Sequence, residues 1–195
     1  MVLNPFDTFQ FSHTHDLTGT MVTSSAPLFV ISGSNCINTL YLPNQGYGDG
    51  NPFMEMILPT DQLDSLYVIP DIAKYQWSTV RVLSVNATSI TFRNASSVIK
   101  KSLRPREHID FQHQKISYIQ ASDNIIVTVY PQYVLTGYLD SFMMTIHGVN
   151  QFLAECHFAV PSMSFDSYIS IAVRSSDIGG FILDDHPLRL KIFSA

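Results

Sequence analysis

Charge is scarce in this 195-residue chain: 14% of positions are charged, 16 acidic against 11 basic, for a formal net charge of -5. Binding to a phosphate backbone rests on clustered Lys and Arg, so no nucleic-acid partner is expected. The one basic concentration, Lys100, Lys101, Arg104 and Arg106, reads as a solvated connector. Lys and Glu are also too few to furnish long exposed helices. Only two cysteines occur, Cys36 and Cys156, too far apart for a zinc motif. No apolar run reaches 18 residues, so no membrane insertion is expected. Met1 is followed by Asn4, Pro5 and Asp7 where a leader would need an apolar stretch, which suggests a cytosolic protein or a piece of a larger one. Gly-x-Ser-x-Gly, His-Glu-x-x-His and glycine-rich phosphate loops are all missing, so neither a catalytic residue nor a cofactor is assigned.

What the chain does have is apolar, β-branched and aromatic residues, with a hydrophobic fraction of 46%. That is enough for a substantial core, and it points to an all-β fold of antiparallel strands. Apolar and polar residues alternate in Thr8-Phe9-Gln10-Phe11, Gly19 to Thr23 and Leu28 to Ser32, as in half-buried strands. The same pattern recurs at Ile116 to Gln120 and Ile125 to Val129, with Ser122-Asp123-Asn124 read as the turn of a hairpin. A further hairpin is expected around Asn86-Ala87-Thr88, between Thr79 to Val85 and Ser89 to Phe92.

The chain also repeats itself. Asn51 to Val82 and Asp140 to Val173 each open on a Phe-Met pair, carry a Gln nine positions on, and close a later run with Pro. Phe142 minus Phe53 is 89, and Gln151 minus Gln62 is 89. Leu103, Pro105, Ile109 and Phe111 repeat Leu3, Pro5, Phe9 and Phe11 at an offset of 100, and Ile125 minus Leu28 is 97. Leu66 to Pro70 matches His157 to Pro161, and Thr79 to Val85 matches Tyr168 to Val173. The reading is two sequence-related repeats of about 95 residues, 1–99 and 100–195, as separate units or one shared domain. Each is β-sandwich-like, the alternative being blades of a β-propeller.

Candidate chemistry is sparse. His13 and His15 stand two apart, with Asp16 beside them, and would share a strand face, but a solvated turn is the plainer reading and no metal is assigned. His108, His113, His147, His157 and His186 are scattered singly. Asp61 with Asp64, and Asp184 with Asp185, are the carboxylates available for glycoside chemistry, and all read as turn residues. Tyr47 to Asn51 lacks the carboxylate spacing of a calcium loop. The triplets Asn86-Ala87-Thr88 and Asn94-Ala95-Ser96 fit the N-glycosylation sequon near turns. Cys36 and Cys156 could form one long-range disulfide or be two thiols, and their spacing leaves both open.

The segments LNPFDTFQF, LTGTMVTSSAPLFVISGSNC, DSFMM, VNQF and FDSYISI, spread from Leu3 to Ile171, together resemble the IgGFc-binding protein N-terminal domain family. The resemblance implies an extracellular, non-enzymatic binding or adhesion module, glycosylated and part of a larger secreted or surface protein of mucus-like type. The partner it implies is a protein or a glycan. Family members carry a second cysteine soon after the one matching Cys36; here that stretch reads GYGDGNPFMEM, leaving a Cys36–Cys156 disulfide as the pairing to test. The loops Gly33 to Asn51 and Tyr130 to Asp140 differ most between the repeats and are the expected contact surface. A structural spacer without a ligand is the second reading, and a carbohydrate-active hydrolase using loop Asp and His side chains the third.

Overall fold

The computed structural model describes residues 2–4, 6–37, 51–72, 75, 77–132, 141–159, 167–180, 182–183 and 186–187. Eleven strands are present among them: β1 (Ile31–Ile37), β2 (Asn51–Met56), β3 (Asp64–Ile69), β4 (Trp77–Ser84), β5 (Thr88–Asn94), β6 (Val98–Leu103), β7 (His108–His113), β8 (Ser117–Gln132), β9 (Met144–Ile146), β10 (Ile182–Leu183) and β11 (His186–Pro187). The only helical pieces among the described residues are 3-10 turns at Thr60–Gln62, Val149–Gln151 and Ser175–Gly180. The all-β, antiparallel architecture expected from the sequence is the one adopted.

β8 organises the main sheet. Its first half pairs with β3 on one edge and β5 on the other: Ile119 faces both Tyr67 and Phe92. Its second half pairs with β9 and β4, Val127 facing both Ile146 and Val82. β4 and β5 therefore lie end to end along one edge of β8. Between Ser84↔Ile125 and Ile90↔Ala121, residues 85–89 oppose only residues 122–124. The two extra residues make a bulged corner, and bulges of this kind bend a strand and raise its local twist. β6 and β7 run along the far side of β5 and β4 in one unbroken register, from Arg93↔Val98 to Ser78↔His113.

This connectivity forces the sheet to curl. His113 ends β7 beside Ser78, whereas Ser117 begins β8 beside Asn94. A straight run from 78 to 94 would separate those ends by about 53 Å at 3.3 Å per residue. The link 114–116 can span no more than about 14 Å. The sheet therefore folds back on itself at the corner and becomes a half-barrel. Two contacts register the closure. His113 Nδ1 lies 2.8 Å from Ser117 Oγ, and the Phe92 and Phe111 rings stack at 4.6 Å with 3° between their planes. Inside the curl lie Tyr67, Ile69, Val80, Val82, Ile90, Phe92, Leu103, Phe111, Ile119, Ile125, Val127, Val129 and Ile146.

Several local expectations change. Ser122 to Asn124 is not a hairpin turn: β8 continues through it, because both flanks find partners on the same neighbouring run. β4 and β5 do not form a hairpin with each other for the same reason. The basic stretch is not mere connector, since Lys100 and Lys101 sit on β6, an exposed edge strand. Charge on such an edge discourages pairing with other chains. The repeat is not matched strand for strand: Thr8 to Phe11 and Ile169 to Val173 form no strand, while Leu103 and Ile109 to Phe111 do. A strand without a ladder neighbour has no hydrogen bonds to hold it. β6 crosses the 99/100 boundary, and the sheet draws strands from both sides of it.

His113 is 2% exposed. Its Nε2 lies 3.1 Å from the Pro70 carbonyl, which can only accept, so Nε2 carries the proton and Nδ1 accepts from Ser117 Oγ. Burial holds the imidazole below its ordinary pKa, against the pull of the Pro70 carbonyl and Asp71. A lowered folded-state value means the unfolded chain takes up the proton first. Stability is then at its plateau above about pH 6.5 and falls as the pH drops from there toward the folded-state value. Urea midpoints measured from pH 7.5 to 5 should fall more steeply for the parent chain than for His113→Gln; parallel slopes would remove His113 from the account.

Candidate binding surface

The two loops expected to carry contacts are the connections of two hairpins, β1·β2 and β8·β9. Most of both, residues 38–50 and 133–140, lie outside the described residues; their roots do not. Phe53 stands near the start of β2 and Tyr130 near the end of β8. Their rings meet at 5.8 Å, and both are nearly buried. This contact packs the start of β2 against the end of β8.

Beneath that root, the outer face of β4, β7 and β8 carries a polar network. Arg81 donates from Nε and Nη2 to both oxygens of Asp110, at 2.8 and 2.9 Å. Its Nη1 reaches Asp16 Oδ2 at 3.3 Å and Thr18 Oγ1 at 3.1 Å. The two-pronged Asp110 hydrogen bond raises the guanidinium pKa despite burial, so Arg81 is permanently charged. Burial works against the charge of Asp16, but the Thr18 donors, Arg81 and His108 outweigh it and bring its pKa down. Tyr130 is pushed up by burial and stays a neutral phenol. Gln132 Nε2 donates to Thr79 Oγ1 at 2.9 Å, closing the same face. The N-terminal segment is thereby pinned across the sheet, at the two residues Asp16 and Thr18.

A second buried polar group joins β3 to the Val149–Gln151 turn. Asp64 is 3% exposed. Its Oδ1 accepts from Ser65 N at 2.6 Å and Asn150 Nδ2 at 3.1 Å, and its Oδ2 from Asn150 N at 2.7 Å. Asp64 N donates to the Tyr67 hydroxyl, which donates to Ile125 O at 2.6 Å. Gln151 accepts from Gly148 N and donates to Gln62 O at 2.7 Å. A Cβ on Gly148 would fall 2.0 Å from Asp64 Cβ, so this close approach requires glycine. The Val149-Asn150-Gln151 motif is thus a clamp for the Gln62–Asp64 turn.

The remaining sequence candidates disperse. His13 and His15 are exposed, their Nδ1 atoms 3.2 Å apart. Asp16 turns away from them to Thr18 and Arg81, and no group of three His, Cys, Asp or Glu among the described residues could hold a metal. His157 and Glu155 pair at 3.1 Å on the surface. Asp184 and Asp185, and Tyr47 to Gly50, lie outside the described residues. Cys156 is exposed; the Cys36 side chain, and with it the Cys36–Cys156 pairing, lies outside the described residues. Asn86 is exposed at the corner, and Asn94 builds the β5–β6 turn, its Oδ1 accepting from Ser96 and Ser97. Among described residues no helix is long and apolar enough to cross a membrane. Asp64 entered the sequence reading only as a turn carboxylate and Asn150 only as part of the VNQF segment, whereas Arg81 and Asp110 escaped it although they stand as opposite charges within alternating apolar strands.

Comparison with known proteins follows this geometry. A family model described as IgGFc binding protein matches residues 1–193. The chain is similar to the human IgGFc-binding protein, 23% identical over 198 residues that cover 98% of this chain and 4% of the human one. No solved structure matches.

Asp64→Ala should destabilise the fold by about 2–4 kcal/mol and Asn150→Ala by about 1–3, because each leaves buried polar groups unpaired. The double variant should cost less than the sum by at least about 0.5 kcal/mol, as expected of directly coupled residues. Chemical denaturation of the four proteins checks this; strict additivity would dissolve the clamp.

Proposed function

The chain belongs to the IgGFc-binding protein family, and on that footing we propose that it is an extracellular, non-enzymatic binding module within a larger secreted or surface protein of adhesive, mucus-like type. The observation that carries the reading is the Phe53–Tyr130 contact, which sets a residue near the start of β2 beside one near the end of β8, each at the root of a loop expected to carry contacts. Rigid scaffolds that present variable loops together are a recurring design for recognition. A protein ligand is favoured over a glycan because the human relative's name records binding to IgG Fc. Against an enzyme stands Asp64, whose oxygens are already occupied by amide donors, and Asp110 and Asp16, which are committed to Arg81.

The binding reading is tested with the purified chain on a protein array that includes IgG Fc, and on a glycan array. Replacing residues 38–50 or 133–140 with a short Gly-Ser link should abolish capture while leaving the unfolding free energy from urea denaturation within about 1 kcal/mol of the parent. Uniformly blank arrays would favour the spacer reading.

Passage through the secretory route is tested by the sequons. Expressed behind a secretion leader in eukaryotic cells, the chain should lose mass on glycosidase treatment. Asn86→Gln and Asn94→Gln should each remove one glycan. Thr88→Ala is unsuitable, since Thr88 Oγ1 also accepts from Asp123 N at 3.1 Å. An unshifted mass at both sites would count against a glycoprotein.

A further inference from the structure

The offsets read in the sequence recur in the strand registers. Taking 97 from Thr128 and 89 from Thr145, which are paired in β8·β9, gives Ile31 and Met56, which are paired in β1·β2. The same operation carries Val129↔Met144 to Ser32↔Glu55, also paired. It carries Val127↔Ile146 to Val30 and Ile57, where the Ile57 N–H donates to Val30 O at 2.9 Å. The 3-10 turns ending at Gln62 and Gln151 differ by the same 89.

Applied to the β4·β7 ladder, this correspondence names two segments that form no strand in the described conformation. Pro161 minus Pro70 is 91, and at that offset Val80 and Val82 become Ile171 and Val173. At the offset of 100, Phe111 and Ile109 become Phe11 and Phe9. The observed pairs Val80↔Phe111 and Val82↔Ile109 thus translate to Ile171↔Phe11 and Val173↔Phe9. Val80 and Val82 are fully buried, but Phe9 is 60% exposed, Phe11 61% and Ile171 51%. Alternating apolar segments this exposed are an association hazard unless something covers them.

We infer that Thr8–His13 and Ile169–Val173 of the same chain pair as antiparallel strands, closing a second core in the way that β4·β7 closes the first. Both segments are tethered at the same end of the half-barrel. Asp16 is held by Arg81, and Ser170 Oγ donates to Asp71 O at 3.1 Å. Asp71 follows Pro70, whose carbonyl binds His113, and His113 pairs with Ser78, three residues from Arg81. Three strand residues cover about 10 Å. The stretch from Asp16 back to Thr8 extends to about 27 Å, so the two segments can meet without unfolding the main sheet.

The test is register-specific crosslinking in the full chain. Phe11→Cys/Ile171→Cys and Phe9→Cys/Val173→Cys are oxidised at several protein concentrations, beside the parent chain and the slipped pair Gln10→Cys/Ile171→Cys. Directly opposed residues bring their Cβ atoms within reach of a disulfide, so the matched pairs should crosslink within one chain, independently of concentration, at least about fivefold more than the slipped pair. A dimer whose yield rises with concentration would mean exchange between copies and overturn the inference. So would equal yields for matched and slipped pairs. Because the variants alter apolar residues, hydrogen exchange on the unmodified chain supplies a second readout: amides of residues 9–13 and 169–173 should be protected together, and fast exchange in either segment overturns the pairing.

Discussion

A three-residue link, 114–116, governs the shape of this protein. It joins two strand ends that a flat sheet would hold some 50 Å apart, and so the sheet has no choice but to curl. The left-handed backbone at Lys115, φ 60°, and at Arg106, φ 63°, falls in the link and in the corner of the β6–β7 run. Such conformations are uncommon for residues with a side chain, and they occur where the chain must turn most sharply. Curling then brings β5 and β7, which never pair, into contact through Phe92 and Phe111. The core is formed by one sheet closing on itself.

That solution leaves polar groups inside, and among the described residues they are paired rather than excluded, with the Thr145 hydroxyl the exception. Ser84 at the corner receives and returns backbone hydrogen bonds with Arg106 and Glu107. Thr88 and Ser122 bridge the bulge at 3.0 Å. Asp64 is the costliest of these groups, since an unpaired buried carboxylate would be expelled or neutralised. Its donors come from residues 65 and 66 nearby and from the distant Asn150. The charge therefore ties the position of Val149–Gln151 to that of β3. The outer face follows the same logic: Arg81 is tolerated under the N-terminal segment because Asp110 and Asp16 surround it.

Much of the fold was legible in the sequence because alternation survives any rearrangement of partners. Val80, Val82, Ile119, Val127 and Val129 read as inward-facing strand residues and are fully buried. Partner choice was not legible. Asn86-Ala87-Thr88 and Ser122-Asp123-Asn124 have turn composition, and both fall at the bend of the sheet. A bend and a hairpin turn ask for the same residues, so composition alone marks where the chain changes direction but not which strands lie beside it. Gly33 to Asn51 stands out in the sequence by its glycine and asparagine content, whereas the clamp leaves no such mark. Asp64 and Asn150 stand 86 positions apart, and nothing local distinguishes a carboxylate that caps distant amides from one that faces water.

The N-terminal segment shows how far pairing decides structure. Thr8 to Phe11 has the same alternation as Ile109 to Phe111 and similar β propensity, yet only the latter is a strand. Intrinsic preference is worth at most about 1 kcal/mol per residue in such contexts, too little to order a lone extended segment against its conformational entropy. Ile109 to Phe111 is ordered because β4 supplies a ladder, because Arg81 and Asp110 lock the register with a two-pronged ion pair, and because Phe92 waits across the core. Gln10 and Ala172 stand where Asp110 and Arg81 would be expected in the other repeat, so that ladder would lack the charge lock and rest on apolar contacts alone. A sheet edge held only by such contacts opens more readily than one fixed by a buried ion pair. What separates Ile109 to Phe111 from Thr8 to Phe11 is thus less the hydrophobic pattern, which they share, than the Asp110 charge that Arg81 fixes and that Gln10 cannot supply.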